Sequence, residues 1–146
     1  MTERETDTPE DPGVRPEVGS VLDASAVLAL LLGERGAETV ADAIAEGAAM
    51  STVNYAEVAT ILIREGRGQS PLEQVALQVR VEEFTVADAT TAAALTAGGE
   101  RLGLSLGDRA CLALSKRLHA PALTADSAWA QLDVGIAITL IRHGEP

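Results

Sequence analysis

The chain has 146 residues and a net charge of −11 at neutral pH, and its composition is 47% hydrophobic, 23% charged and only 2% aromatic. This length and composition predict one globular domain with an aliphatic core, and they exclude a wholly disordered chain. The negative charge argues against the broad basic surface that nucleic-acid-binding proteins usually present.

The composition of residues 1–18 predicts that they form a disordered acidic tail rather than part of the folded domain. They carry six acidic residues, two arginines and three prolines, with few side chains to bury. The remaining residues, 19–146, keep a net charge of −7 and form the predicted domain. No signal-peptide pattern and no apolar run of about 18 residues is present, so we expect a cytoplasmic protein without membrane contact. The single cysteine, Cys111, argues against a disulfide framework and a cysteine-based zinc site.

Strand and helix patterns alternate from residue 19 to the C-terminus. Short apolar runs predict strands at 19–23, 48–51, 83–88, 121–126 and 136–141. Helical spacing predicts helices at 25–34, 36–47, 51–68, 70–81, 89–103 and 105–120. Ser70 is the expected cap of the fourth helix, and Pro71 its first residue. This alternation predicts an α/β fold, a three-layer α/β/α sandwich around a central, mostly parallel sheet.

Four carboxylates of this pattern lie where an α/β sheet usually binds its ligand. Asp23 ends the first predicted strand, and Asp126 ends the strand at 121–126. Glu57 and Asp108 lie in the first turns of two helices. Ligands bind beyond the carboxyl ends of parallel strands, so these acids could converge there. Asp23, Asp108 and Asp126 could instead cap helices, and Ser105 with Asp108 has the spacing of a capping box. Glu57 could instead be a partly solvated helix residue.

An oxygen-rich site without cysteine or clustered histidine predicts a hard cation, Mg²⁺ or Mn²⁺. Such an ion activates water for attack on a phosphodiester and stabilises the leaving oxygen. A metal-free ribonuclease would instead need two histidines as acid and base. The chain has only His119 and His143, and both have the pattern of surface residues.

Four segments together resemble the PIN-domain ribonucleases, specifically the VapC-type toxins of bacterial toxin–antitoxin pairs. They are VLDASAVLALLLGERGAE, MSTVNYAEVA, LSLGDRACLALSKRL and PALTADSAWAQL. The resemblance runs from about residue 19 to the C-terminus and implies a PIN-like fold and a metal-dependent endoribonuclease. The catalytic, metal-binding acids that it implies are Asp23, Glu57, Asp108 and Asp126. The polar residues that it implies around them are Ser25, Asn54 and Thr124.

The same resemblance implies a homodimer, a transfer or ribosomal RNA substrate and a VapB-type antitoxin. Apolar surface on helices 51–66 and 70–81 predicts the dimer interface. The antitoxin is expected to fold a disordered segment across an apolar rim and to place an Arg or Lys among the carboxylates. The predicted rim consists of Leu28, Leu31, Leu32, Val58, Ile61 and Leu62. Candidate contacts to the RNA backbone, each equally consistent with an ordinary helix-end or solvated charge, are Arg64, Arg67, Arg101, Arg109, Lys116 and Arg117.

Other protein classes that gather acidic residues fit less well. A receiver domain needs a lysine at a late strand end, whereas Lys116, the only lysine, lies within a predicted helix. A flap-type nuclease needs long insertions, for which 146 residues leave no room. The alternative that stays open is a domain that keeps the PIN fold but binds or regulates without cleaving anything.

Overall fold

The computed structural model describes residues 17–99 and 103–143 of the chain. The strands are β1 Ser20–Leu22, β2 Ala48–Ser51, β3 Arg80–Glu82, β4 Ala122–Thr124 and β5 Ile138–Leu140. They form one sheet in the order β3-β2-β1-β4-β5, and every neighbouring pair is parallel. The predicted parallel sheet is therefore confirmed. The predicted acidic tail lies outside the described residues, apart from Glu17 and Val18.

Helices connect the strands and cover both faces of the sheet. They are α1 Ala24–Leu32, α2 Ala37–Glu46, α3 Thr52–Arg64, α4 Ser70–Gln78, α5 Val86–Ala94, α6 Thr96–Gly99 and α7 Leu106–Leu118, with a 3₁₀ helix at Ser127–Gln131. Within residues 17–99 and 103–143, no helix combines the length and apolar character needed to cross a bilayer.

The two halves of the core follow from the alternation of side chains along each strand. Leu22 projects from β1 into an aliphatic cluster with Val27 and Val58, which belong to α1 and α3. Its neighbour Val21 projects from the opposite face, into a cluster with Cys111 and Leu112 of α7. The sheet thus lies between two helical layers, and the predicted three-layer sandwich is confirmed.

The chain between α4 and α5 differs from the prediction. The helix expected at 70–81 ends at Gln78, and Ser70, the expected cap, is instead its first residue, with Gln69 at the cap position. The strand expected at 83–88 is instead β3, at Arg80–Glu82. The predicted strand residues from Val86 onward belong to α5, because Thr85 and Asp88 form a capping box that begins this helix. The single helix predicted at 89–103 is divided at Leu95 into α5 and the short α6, and residues 100–102 lie outside the described residues.

Candidate active site

Asp23 connects β1 to α1 and is almost completely buried, with 4% of its surface exposed. Its Oδ1 accepts hydrogen bonds from the backbone N–H of Ala26 and from Ser25 Oγ, both at 2.8 Å. Its Oδ2 accepts a hydrogen bond from Thr124 Oγ1 at 2.6 Å. The carboxylate is therefore the N-cap of α1 and also the link between the ends of β1 and β4.

This position shifts the acidity of Asp23. Burial raises the pKa of its carboxyl group from 3.8 to about 6. The hydrogen bonds from Thr124, Ala26 and Ser25 oppose that rise, and the negative charge of Asp108 adds to it. A buried carboxylate beside a second one is a place where a bound cation would relieve both desolvation and repulsion.

Ser25 and Thr124 connect Asp23 to Asp126. The hydroxyl oxygens of Ser25 and Thr124 are 3.3 Å apart. Thr124 Oγ1 accepts a hydrogen bond from the backbone N–H of Asp126 at 3.0 Å. The Asp126 side chain is exposed, and its Oδ1 caps the 3₁₀ helix by accepting a hydrogen bond from the N–H of Ala128 at 3.0 Å. These hydrogen bonds fix the ends of β1 and β4 relative to each other.

Asn54 and Glu57 bring α3 against the start of α7. Asn54 is buried and donates from Nδ2 to Glu57 Oε1 at 2.9 Å and to the Gly107 carbonyl oxygen at 3.1 Å. The Glu57 carboxylate lies so close to Gly107 that a Cβ atom at this position would be 2.0 Å from Glu57 Oε2. Only glycine fits there without displacing the carboxylate. Asn54 Oδ1 has no hydrogen-bond partner among the described residues.

Asp108 forms the capping box that its spacing suggested. Its Oδ2 accepts a hydrogen bond from the Ser105 N–H at 2.9 Å, and its own N–H donates to Ser105 Oγ at 3.1 Å. Asp108 therefore closes the capping box in the first turn of α7, and its charge also acts on Asp23. It can be both a helix cap and a site acid, because Oδ2 accepts the capping hydrogen bond while the carboxylate keeps its negative charge.

Cys111, one turn after Asp108 in α7, lies near enough to three of the acids for their charges to act on its thiol. Burial raises the pKa of its thiol well above its ordinary value. Negative charges add to this rise, and they belong to Asp23, Asp108 and Glu57. Asp126 contributes to neither this shift nor that of Asp23, and it joins the group only through Thr124.

The donor atoms of this group fit a hard cation in their chemistry, because they are carboxylate and hydroxyl oxygens. Among the described residues, however, no three acidic, histidine or cysteine side chains already form a metal site. Three of the carboxylates have one oxygen in a hydrogen bond and the other without one in the described chain, namely Glu57, Asp108 and Asp126. These hydrogen bonds thus leave one oxygen of each acid available while they hold the carboxylates in place.

Two other sequence predictions about this region change in detail. Val58 and Leu62 are buried in the core, so the predicted apolar rim reduces to four half-buried residues, Leu28, Leu31, Leu32 and Ile61. Arg117, a candidate RNA contact, instead forms an ion pair with Asp88 at 2.9 Å. Arg101 lies outside the described residues.

Gly107 is the residue of the site that the sequence analysis missed. Its role depends on how closely α3 approaches α7, and no local pattern reports that distance. The one local signal is that a glycine occupies the first turn of a helix, where it weakens helix formation. Glycine at such a position often allows a neighbouring segment to lie close to the helix backbone.

Comparisons with known proteins agree with this architecture. The sequence matches the PIN domain family over residues 20–135. A search of curated proteins gives no significant match. A toxin–antitoxin complex from Klebsiella pneumoniae has a similar structure, with 17% identity, a TM-score of 0.68, and 86% of this chain and 99% of that chain covered.

Two further solved structures are similar at the level of the fold. VapBC2 from Rickettsia felis, bound to a DNA fragment of its promoter, has 14% identity and a TM-score of 0.68, covering 83% of this chain and 97% of that chain. VapC20 from Mycobacterium tuberculosis, a sarcin–ricin-loop-cleaving toxin, has 18% identity and a TM-score of 0.63, covering 79% of this chain and 97% of that chain.

Proposed function

This chain belongs to the PIN domain family, and from that premise we propose that it is a Mg²⁺-dependent endoribonuclease, the toxin of a VapB–VapC-type toxin–antitoxin pair. Mn²⁺ is the expected substitute for Mg²⁺. The proposal places it in the bacterial cytoplasm, where RNA and an antitoxin would meet it. The structurally similar proteins include bacterial toxin–antitoxin complexes and one RNA-loop-cleaving toxin.

The observation that carries the proposal is the buried carboxylate of Asp23, on which the charge of Asp108 acts, with Glu57 acting together with both aspartates on the Cys111 thiol. A desolvated carboxylate beside a second negative charge is unfavourable in a purely structural role, since a neutral cap such as Ser or Thr would begin the same helix without that cost. A cation gives these acids a common counter-charge. We therefore assign metal binding to Asp23, Glu57, Asp108 and Asp126.

The surrounding residues keep these acids in place. Ser25 and Thr124 hold the Asp23 carboxylate in one orientation by donating to both of its oxygens. Asn54 holds Glu57 against Gly107. A bound Mg²⁺ would activate a water molecule for attack on the RNA phosphodiester and stabilise the oxygen that leaves. The role of the chain is to supply fixed oxygen ligands, which it does from strand ends and helix starts.

The second candidate function is a PIN-fold domain that binds or regulates without cleavage. The observation that favours it is that Asp23, Asp108 and Asp126 all cap helices. Their presence can therefore be explained by stability without any catalytic role.

RNA cleavage separates the two functions. The purified chain is incubated with total bacterial RNA in Mg²⁺, with and without EDTA, beside the Asp23→Asn variant. The proposal expects cleavage by the wild-type chain in Mg²⁺ and none in EDTA or by the variant. Cleavage that persists in EDTA would contradict the metal mechanism, and no cleavage under any condition would favour the binding domain. Sequencing the RNA ends produced would identify the substrate among transfer and ribosomal RNAs.

The expected partners are a VapB-type antitoxin and a second copy of the chain. For the homodimer, support comes from two exposed apolar side chains on the helices where the interface is expected, Ile63 of α3 at 65% and Leu77 of α4 at 80% exposure. Light scattering at tens of micromolar tests this part, and a mass of 15.1 kDa alone would overturn it.

A further inference from the structure

A cavity of about 310 Å³ lies between α2 and the strands β1, β4 and β5. Its walls include Ser20, Thr39, Asp42, Glu46, Leu123 and Thr139. Ser20 is the first residue of β1, and Pro121, also in the wall, directly precedes β4. The cavity therefore lies toward the amino ends of these strands, whereas Asp23 and Asp126 follow their carboxyl ends. It is separate from the candidate active site.

The charge of this cavity is entirely negative among the described residues. Its titratable wall residues are Asp42 and Glu46, four residues apart on α2 and both exposed. Neither has an ion pair or a hydrogen bond within the part of the chain that the structure describes. Glu38 continues the row by four residues in the other direction, and α2 contains no lysine or arginine. Like charges at this helical spacing repel each other, so a cationic partner would stabilise α2.

Ser20 provides an independent indication of a ligand. Its side chain is 5% exposed, and its Oγ has no hydrogen-bond partner among the described residues. Because side chains alternate along a strand, Ser20 projects from the same face of β1 as Leu22, toward the α2 side of the sheet. A buried hydroxyl without a partner is uncommon in folded proteins. Because Oγ is closed to water in the free chain, a hydrogen-bond donor in the cavity would satisfy it by displacing the wall atoms that cover it.

We propose that this cavity binds an arginine or lysine side chain of a partner polypeptide. The wall offers carboxylate and hydroxyl acceptors for the charged end, and Ala43 and Leu123 offer apolar surface for the methylene stem. RNA is disfavoured, since the acidic row of α2 repels phosphate.

The partner that this implies is the antitoxin, and that identification rests on the proposed function. A basic segment of the antitoxin would then hold the toxin at the amino ends of the strands as well as at the catalytic edge. Such an anchor would contribute affinity without blocking the active site. Removing it would weaken the complex and leave cleavage by the free toxin unchanged.

The experiment is a titration of the full-length chain, followed by the backbone amide signals in nuclear magnetic resonance. The probe is the pentapeptide acetyl-Arg-Ala-Ala-Ala-Arg-amide, and the control replaces both arginines by glutamine. We expect the arginine peptide to shift the signals of Ser20, Thr39 and Thr139, and the glutamine peptide not to. The Asp42→Asn/Glu46→Gln double variant should bind about tenfold more weakly, the change expected from one lost charge-assisted hydrogen bond. Glu73→Gln, which changes an exposed acid on α4, should bind as the wild-type chain does.

Ser20→Ala separates a binding role from a structural one. Because the hydroxyl has no partner in the free chain, this variant should keep its midpoint of urea unfolding and still bind the arginine peptide more weakly. Equal affinity in the double variant, or shifts confined to residues around Asp23 and Asp126, would overturn the proposal. Spermidine that binds the cavity more tightly than the peptide would make it a polyamine site instead. The titration contains no RNA, so its outcome is independent of whether the chain is a ribonuclease.

Discussion

Asp23 contributes to stability in two opposite ways. Its hydrogen bonds from Ser25, Ala26 and Thr124 fix the start of α1, and a helix cap of this kind stabilises a protein by about 1 kcal/mol. Its burial next to Asp108 costs free energy because the charged form is desolvated and repelled. The pKa of about 6 shows that the cost outweighs the hydrogen bonds for the ionised form.

We expect Asp23 to make the metal-free chain less stable as the pH rises from about 4 to about 6. The folded state holds the Asp23 proton more tightly than the unfolded state, whose pKa is 3.8, so unfolding releases protons in this window. The stabilisation is complete below the unfolded pKa and is lost as the pH passes the folded pKa, by about 3 kcal/mol in total. Asp23→Asn keeps an acceptor for Ala26 and removes the charge, so the variant should lose this pH dependence.

Urea unfolding in EDTA at several pH values between 4 and 7.5 measures this difference. Asp126→Asn is the matched control, because Asp126 also caps a helix but is exposed. The Asp23→Asn variant should be at least as stable as the wild-type chain at pH 7. A variant that is clearly less stable at pH 7 would show that Asp23 is a structural cap, and its assignment to the site would be wrong.

Gly107→Ala is predicted to displace the Glu57 carboxylate and to abolish cleavage, with little change in stability. In an open helix the change would stabilise by up to about 1 kcal/mol through helix propensity. Here the new Cβ would lie 2.0 Å from Glu57 Oε2, so the flexible side chain must turn away and lose its hydrogen bond from Asn54, which costs about 1 kcal/mol. The Glu57→Ala background removes the clash, so Gly107→Ala should be stabilising there. Equal effects in both backgrounds, measured by urea unfolding, would refute the contact.

At the scale of single elements, the connection from α4 to α5 shows where sequence patterns fail. The segment EFTVAD alternates like a strand, but Thr85 and Asp88 within it have capping-box spacing, and the cap prevails. A tertiary ion pair supports that outcome, because Arg117 of α7 donates two hydrogen bonds to the buried Asp88, at 2.9 and 3.1 Å. The partner of Asp88 is 29 residues away in sequence, so local reasoning could not identify it.

Arg117→Met is therefore predicted to destabilise the chain through α5. Burial by itself would raise the pKa of Asp88, but the hydrogen bonds and the charge of Arg117, with the cap at Thr85, lower it. That stabilisation is present above pH 3.8, the ordinary pKa, and is lost as the pH falls through the lowered value. Because Arg117 is one-third exposed, we expect a loss of about 1–2 kcal/mol in the free energy of unfolding at pH 7.

Arg67→Met, which breaks a half-exposed pair with Glu65, is the control and should cost less than about 1 kcal/mol. Similar losses in both variants would contradict a special role for the pair on α5.

At the scale of the whole molecule, the three-layer architecture, the parallel sheet and four of the five strands follow from the sequence. Buried strands such as residues 20–22 and 48–51 stand out as apolar runs between glycines and cap residues, and their alternation with helices leaves few possible arrangements. The edge at which Asp23 and Asp126 lie follows from the same rule. The distances between the acidic side chains cannot be predicted from the sequence. They depend on whether each carboxylate forms hydrogen bonds with the backbone of its own helix or with residues of neighbouring elements.

The effect of the Asp108 charge on Asp23 leads to the last prediction, which concerns the response of the whole chain to metal. Two carboxylates about 4 Å apart repel by about 4 kcal/mol at an effective dielectric constant of 20, and a cation between them converts that repulsion into attraction. A ligand that binds only the folded state stabilises it by about 2.7 kcal/mol at one hundred times its dissociation constant. Millimolar Mg²⁺ or Mn²⁺ should therefore raise the melting temperature above its value in EDTA.

Variants test whether this rise in melting temperature comes from metal bound at the candidate active site. Asp23→Asn and Asp108→Asn should each lose most of it, and Glu73→Gln, on the exposed side of α4, should keep it. Because metal competes with the proton on Asp23, the rise in wild-type protein should also shrink as the pH falls below about 6. Calorimetry at pH 5 and pH 7.5, with each ion and with EDTA, measures both effects. An equal rise in the wild-type chain and in both site variants would mean that the metal binds elsewhere. Asp23, Asp108 and Asp126 would then be helix caps only, and Glu57 an ordinary residue of α3.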